Sequence, residues 1–284
     1  MSLALRIIPR LDIKGPNLVK GINLEGLRVL GKPEQFARFY YEQGADELFF
    51  QDVVASLLGR NSLHDVISRT ANESFIPLTV GGGIRTLDDI ALALRAGADK
   101  VCLNTTIHEN PDLVSKAAEV FGRSTIVACI EAIRQPNGDY EAFTDNGRNR
   151  TGRNVLDWAQ KVEQLGAGEI LLTSVDREGT GSGLDALLAD QVQKLVDIPL
   201  VVHGGVGKSE DILDLTQRTK VNGVVVASMF HYDYLNTHRR LEGYESEGNI
   251  EFLKSRREFK KVTPTGLIQV KQFLHRNKVE CRLT

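Results

Sequence analysis

The 284-residue sequence has few cysteines and no excess of charge of either sign. Its cysteines, Cys102, Cys129 and Cys281, are odd in number, far apart and without metal-ligand spacing. They fit a reducing compartment better than a disulfide framework. The 35 basic and 37 acidic residues give a formal net charge of -2, so no strong field attracts nucleic acid.

Long apolar runs are also missing. No stretch approaches the roughly 18 apolar residues that a membrane span needs. The opening residues, MSLALRIIPRLD, interrupt a short apolar stretch with Arg6 and Arg10 and lack the pattern of an export signal. We therefore expect a cytoplasmic protein that binds neither a membrane nor nucleic acid.

What the sequence does contain is an alternation of short apolar runs and amphipathic segments, which is typical of βα units around a parallel sheet. Eight strands are predicted, at Arg6–Asp12, Glu47–Asp52, Leu78–Gly81, Lys100–Asn104, Thr125–Ile130, Glu169–Ser174, Leu200–His203 and Gly223–Ala227. One intervening helix has Thr86 and Asp89 at capping-box positions and ends at Gly97. The chain length suits one barrel, which takes about 250 residues. We predict an α/β fold, a single (β/α)₈ TIM barrel spanning residues 1–284.

Two segments recur 122 residues further along the chain. GADELFFQD at 44–52 returns as GAGEILLTS at 166–174, and IPLTVGGGI at 76–84 returns as IPLVVHGGV at 198–206. Internal repeats of this kind reveal architecture. The barrel is therefore predicted to consist of two fused half-barrels.

The duplicated glycine-rich loops predict two phosphate sites. VGGGIR and HGGVGK each follow a strand, and their glycines let an anion approach backbone N–H groups. Each half then has a strand ending in small residues, most of them polar, which are Asn104 and Thr105 in one half and Ala227 and Ser228 in the other. A glycine pair can also simply form a tight turn. Two facing phosphate sites imply a small bisphosphorylated ligand.

Two carboxylates end strands on opposite sides of the predicted barrel. Asp12 ends strand 1, and Glu131 follows strand 5. Residues at this end of a barrel are typically catalytic, and two carboxylates in different environments can divide into an acid and a base. The alternative is that either residue caps its own loop.

Long segments of the chain resemble one family. RIIPRLDIK, LVKGIN, GADELFFQDVVAS, IPLTVGGGIR, GADKVCLNT, GAGEILLTSVDREGTGSG and ASMFH are similar to the cyclase subunit of imidazole glycerol phosphate synthase, HisF, to about His231. The resemblance implies a lyase of histidine biosynthesis that needs no cofactor or metal. Such an enzyme uses ammonia from a partner glutaminase, HisH, to convert the bisphosphate PRFAR into imidazole glycerol phosphate and AICAR.

The resemblance also implies roles for individual residues. Asp12 and Glu131 would be catalytic, and Lys20 would lie on a mobile loop that helps to close the site. Substrate and phosphate binding would fall to Lys20, Gly83, Asn104, Thr105, Thr173, Gly204, Gly205, Ala227 and Ser228. As the alternative, Lys20 is merely a solvated loop lysine.

Three positions depart from the family pattern. Glu131 and Glu178 stand where the family has aspartate, and His203 replaces a serine. Each carboxylate is displaced by one methylene, and a shift of about 1 Å at a catalytic group can cost about 10²-fold in rate.

A second group of charges begins four strands at the opposite end of the barrel. Arg6, Glu47, Lys100 and Glu169 are expected to converge on the axis there, where such charges are usually structural. In the family the matching residues form a gate through which ammonia enters, and Asp99 matches a position at the glutaminase interface. Since the chain has no glutaminase motif of its own, we expect a glutaminase subunit to bind at the barrel bottom.

Residues 236–263 form a charge-rich insertion before the final helix. It is either a solvated excursion or a lid or partner contact.

Two alternatives to the cyclase remain open. One is a paralogue that delivers ammonia to an amidotransferase acting on a surface-polysaccharide sugar, which the three departures and the insertion favour. The other is a non-catalytic barrel that serves as a scaffold for a glutaminase. A HisA-type isomerase shares the repeats, but KGIN and DREGTGSG match the cyclase better.

Overall fold

The computed structural model describes residues 4–23, 25–55, 63–238 and 261–283. Eight parallel strands form a closed barrel, in which neighbouring strands follow one another in chain order and the last strand pairs with the first. These strands are β1 (Arg6–Lys14), β4 (Leu48–Asp52), β5 (Leu78–Gly81), β6 (Lys100–Leu103), β7 (Ile126–Arg134), β10 (Glu169–Ser174), β11 (Leu200–His203) and β12 (Gly223–Val226). The predicted (β/α)₈ barrel is confirmed.

Helices follow the barrel strands and cover their outer face. They are α1 (Pro33–Glu42), α2 (His64–Ala71), α3 (Leu87–Arg95), α4 (Thr105–Glu109), α5 (Asp112–Phe121), α6 (Val155–Gln164), α7 (Ala186–Gln193), α8 (Ser209–Arg218), α9 (Ser228–His238) and α10 (Leu267–Arg276). The predicted capping box is present on α3, because Thr86 Oγ1 accepts the Asp89 N–H at 3.1 Å and Asp89 Oδ2 accepts the Thr86 N–H at 3.0 Å. None of the described helices is long and apolar enough to cross a membrane.

Two β-hairpins extend from the barrel at related positions. β1 continues into β2 (Asn17–Ile22) and β3 (Glu25–Gly31), and β7 continues into β8 (Tyr140–Thr144) and β9 (Asn149–Asn154). The strands of these hairpins were not predicted from the sequence. Because β1 and β7 begin the two predicted half-barrels, the hairpins repeat the same feature in each half.

The duplication is also visible in how two glycines pack. A Cβ atom on Gly82 would lie 2.3 Å from the carbonyl oxygen of Asp52, and one on Gly204 would lie 2.4 Å from that of Ser174. Both residues also have positive φ, 95° and 102°. Each loop therefore requires glycine where it crosses the end of the neighbouring barrel strand, which is β4 for Gly82 and β10 for Gly204.

Apolar side chains fill the barrel interior as a cluster of its own, distinct from the core between sheet and helices. The cluster contains Ile8, Phe49, Cys102, Val127, Cys129, Leu171, Val201 and Val225. It lies between charged residues at the strand starts and polar residues at the strand ends. The predicted insertion at 236–263 falls mostly on residues outside the described ranges.

Candidate active site

The C-terminal end of β1 places two buried charges side by side. Arg10 and Asp12 point into the barrel, and the Arg10 Nε–H donates to Asp12 Oδ1 at 2.6 Å. The two residues are only 3% and 2% exposed, and the Arg10 guanidinium lies 5.5 Å from the centre of the Phe49 ring. Removing one partner of such a pair strongly destabilises the folded protein, because the remaining charge stays buried without a counter-charge. Sequence reasoning missed Arg10, although its spacing from Asp12 puts both on one face of the strand.

Glu131 occupies the opposite side of the barrel in a different environment. Three strands separate β1 from β7 in either direction around the barrel. Glu131 Oε2 accepts the backbone N–H of Gly147, in the β8–β9 turn, at 2.9 Å. Burial raises the pKa of Glu131 to about 7, although the Gly147 N–H and the Arg10 charge oppose the shift. A carboxyl with such a pKa can donate or accept a proton near neutral pH.

The alternative that Lys20 is a solvated loop lysine does not agree with the structure. Lys20 lies on strand β2, is 3% exposed and forms an ion pair with Glu178. Its Nζ is 4.0 Å from Asp12 Oδ2. The backbone N–H of Asn23 also donates to the Glu178 carbonyl at 2.8 Å. The β2–β3 hairpin therefore contacts the loop after β10 and brings Lys20 beside Asp12.

The first predicted phosphate loop borders an open cleft. Gly83, Asn104, Thr105 and Glu131 all line this cleft, together with Arg10, Gln51, Asp52, Arg85, Asp145 and Asn146. Gly83 has a φ of 73°, and α4 begins at Thr105. Helix starts and glycine turns present N–H groups to anions. Asp145 and Asn146 were missed because the β8–β9 turn that carries them was not predicted.

The second loop is packed more tightly. Gly204 and Gly205 have φ values of 102° and 108°, and the Gly183 N–H donates to the Gly205 carbonyl at 2.8 Å. A Cβ atom on Gly205 would lie 2.1 Å from the Gly183 oxygen. The tight-turn interpretation therefore applies to this glycine pair whether or not it also binds phosphate. Ala227 precedes α9 and Ser228 begins it, as Asn104 and Thr105 do for α4.

Thr173 and His203 lie between this second loop and Glu131. In the parallel register Thr173 is paired with Glu131 on one side and with His203 on the other. His203 Nδ1 is 3.1 Å from the Val225 carbonyl oxygen, and its Nε2 is 3.9 Å from Glu178 Oε1. Burial, reinforced by the Arg10 charge, lowers the pKa of His203 to about 3. The imidazole is therefore neutral at physiological pH.

Four charges meet at the other end of the barrel. Arg6 contacts Glu47 at 2.9 Å and Glu169 at 2.6 Å, and Lys100 contacts the same two carboxylates at 3.0 and 3.4 Å. The result is a closed ring of alternating sign, which we call the charged ring. Asp99 does not join it: Asp99 Oδ2 accepts the Leu78 N–H at 2.8 Å and so supports the start of β5.

Comparison with known proteins gives one consistent result. The profile of a family described as "Histidine biosynthesis protein" matches residues 6–236. The imidazole glycerol phosphate synthase subunit HisF of Legionella pneumophila is 56% identical over 206 residues, covering 72% of this chain and 97% of the relative. The subunits of the same name from Prochlorococcus marinus and Streptomyces griseus are 48% and 45% identical, covering 81% and 82% of this chain and 90% and 92% of their own. The chain therefore belongs to the histidine biosynthesis protein family, alongside these HisF subunits.

Proposed function

We propose that the protein is the cyclase of imidazole glycerol phosphate synthase, which combines ammonia with PRFAR to give imidazole glycerol phosphate and AICAR. The observation that carries this is the pair of unlike carboxylates, Asp12 and Glu131, on opposite sides of one barrel mouth. Asp12 is salt-bridged to Arg10, whereas Glu131 has a pKa near neutrality. Environments that separate two carboxyl groups in this way assign them to base and acid.

In this mechanism Asp12 is the base and Glu131 the acid. Proton transfers are needed at the ring-closing carbon and at the leaving amine. Asp12 accepts a proton while Arg10 and Lys20 hold positive charge beside it. Glu131 donates one, since about half of a group with this pKa is protonated near pH 7.

The two phosphates of the substrate would be held at opposite sides of the mouth. One would bind the Gly83 loop and the start of α4 at Thr105, and the other the Gly204–Gly205 loop and the start of α9 at Ser228. Backbone N–H groups and helix starts suit phosphate in both halves. This arrangement would suspend the reacting centre between Asp12 and Glu131.

Ammonia would reach that centre through the barrel from a glutaminase subunit bound at the charged ring. Above the ring the interior is lined by apolar residues such as Ile8, Leu171 and Val225. An ion is costly to transfer into such surroundings, whereas a small neutral molecule is not. The lining therefore favours ammonia over ammonium.

The test is turnover of PRFAR with an ammonium salt, which replaces the glutaminase. We expect wild-type protein to form imidazole glycerol phosphate and Asp12→Asn to be slower by about 10²–10⁴-fold, as for loss of a general base. Since Asp12 neutralises the buried Arg10, this variant should also lose stability, so each protein is assayed below its own unfolding transition. Unchanged turnover in the variant would remove Asp12 from the mechanism, and no wild-type turnover would remove the proposed function.

A further inference from the structure

Thr173 and His203 form a pair of buried polar side chains at the barrel mouth. They are paired in register on β10 and β11 and are 1% and 3% exposed. Side chains directly opposite on neighbouring strands stand about 5 Å apart on one face of the sheet. Both are therefore able to contact a single small group.

The hydrogen bond to Val225 fixes the tautomer of His203. A carbonyl oxygen can only accept, so the 3.1 Å contact requires the proton on Nδ1. In the neutral ring, Nε2 then carries a lone pair and no hydrogen. His203 consequently offers an acceptor to the mouth.

Two polar atoms in this pair have no hydrogen-bond partner within the residues that the structure describes, His203 Nε2 and Thr173 Oγ1. The carboxylate of Glu178 is 3.9 Å from Nε2, beyond hydrogen-bond distance, and it is engaged by Lys20. Buried polar atoms are nearly always satisfied, so this pair is complementary to a partner that enters with a ligand.

We propose that Thr173 and His203 form a subsite for one hydroxyl group of the substrate, an inference that rests on the proposed function and extends it. The ligand hydroxyl donates its hydrogen to His203 Nε2, and its oxygen accepts the hydrogen of the Thr173 hydroxyl. An ionised phosphate oxygen has no hydrogen to donate, so the pair selects an alcohol and not the phosphate itself. Because Thr173 is also in register with Glu131, the carbon bearing this hydroxyl is placed beside the proposed acid.

The subsite can be tested without turnover, by NMR of protein labelled with ¹⁵N in its six histidines. The probes are glycerol 3-phosphate, which carries hydroxyl groups, and inorganic sulfate, a tetrahedral anion that carries no hydrogen at neutral pH. We expect glycerol 3-phosphate to shift the His203 Nε2 resonance toward the hydrogen-bonded position and sulfate to leave it unchanged. An equal shift with sulfate, or no shift with saturating glycerol 3-phosphate, overturns the proposal.

Kinetics with PRFAR and ammonium provide the second arm. His203→Leu removes the acceptor, and its KM should rise about tenfold, the loss expected for one buried hydrogen bond. His203→Gln keeps an acceptor near the Nε2 position and should restore KM to within about threefold of wild type. A tenfold loss in both variants overturns the hydroxyl subsite. Absence of wild-type turnover counts against the proposed function alone, because the NMR arm still decides the subsite.

Discussion

At the scale of single residues, the protein gives two similar carboxyl groups different properties by changing what surrounds them. Asp12 lies against the guanidinium of Arg10, whereas Glu131 accepts the backbone N–H of Gly147 and is affected most strongly by its burial. Desolvation favours the neutral form of an acid, and this is why burial raises the pKa of Glu131. Glu131, which stands where the family pattern has aspartate, accepts the Gly147 N–H at 2.9 Å.

Glu131→Gln is expected to stabilise the protein at high pH. The pKa of Glu131 is about 7 in the folded protein against an ordinary value of 4.5, so the stability contribution of this residue is lost as pH rises from about 4.5 through 7. Glutamine stays neutral, so the variant should exceed wild type at pH 8 by ~3 kcal/mol and equal it at pH 4. Urea denaturation at both pH values measures this, and PRFAR turnover should fall at the same time.

Glu141→Gln is the matched control for that experiment. The hydrogen bond from Arg150 lowers the pKa of Glu141, which is the opposite direction of shift. This variant should lose stability at pH 8 rather than gain it. If Glu131→Gln showed the same difference from wild type at pH 4 and pH 8, desolvation of Glu131 would not be the cause.

At the scale of elements, the two hairpins and the two glycine loops surround the candidate site at the mouth of the barrel. The β2–β3 hairpin brings Lys20 to Asp12, and the β8–β9 turn brings the Gly147 N–H to Glu131. Each proposed catalytic carboxylate is thus served by the hairpin that follows its own strand. The glycine loops cross the ends of β4 and β10 so closely that a Cβ atom on Gly82 or Gly204 would lie 2.3 or 2.4 Å from a backbone oxygen.

Gly204→Ala should destabilise the protein more than Gly138→Ala. Both glycines have positive φ, 102° and 92°, so both variants lose about 1 kcal/mol or more to backbone strain. Only at Gly204 would the added methyl meet a backbone oxygen, that of Ser174 at 2.4 Å, whereas nothing lies within 4 Å at Gly138. We expect a further loss of roughly 1–3 kcal/mol for Gly204→Ala, measured by thermal unfolding. Equal losses in the two variants would mean that the loop relaxes freely.

At the scale of the whole molecule, the barrel separates two polar ends by an apolar interior. The charged ring closes one end, and the carboxylates and glycine loops surround the other. Every member of the ring contacts two partners of opposite sign, so its geometry depends on four strands at once. The assignment of this end to a glutaminase subunit remains a prediction.

Lys100→Glu tests that assignment. The change would add a third carboxylate beside Glu47 and Glu169, leaving Arg6 as the only cation of the ring. Turnover with glutamine and the partner subunit should fall at least about tenfold, while turnover with ammonium should stay close to wild type. Lys116→Glu, on the exposed face of α5, is the control and should change neither activity. An equal fall in both activities of Lys100→Glu would refute the entry role of the ring.

The sequence alone predicted the barrel, because strands buried on both faces leave continuous apolar runs. It also supplied the candidate site residues, because the ends of those runs mark positions at the barrel mouth. The starts and ends of β5, β10 and β11 agree with the predicted limits to the residue. The family membership and the histidine-pathway enzyme were likewise predicted from motifs and are confirmed by relatives at 41–56% identity. Motifs consist of residues that are adjacent in the chain, so they can be recognised without the tertiary structure.

Only the tertiary structure decided the contacts, burial and charge of the individual side chains. Strand β9 contains no apolar residue and none of its residues is buried, so no apolar pattern in the sequence predicted its hairpin. From the sequence, Lys20 could be an ordinary loop lysine, because its ion-pair partner Glu178 lies 158 residues away and is brought to it only by the fold. His203 is neutral because burial in the closed barrel and the charge of Arg10, on another strand, lower its pKa to about 3. Desolvation and ion pairing depend on which distant residues exclude solvent, a property of the closed barrel that no local stretch of sequence contains.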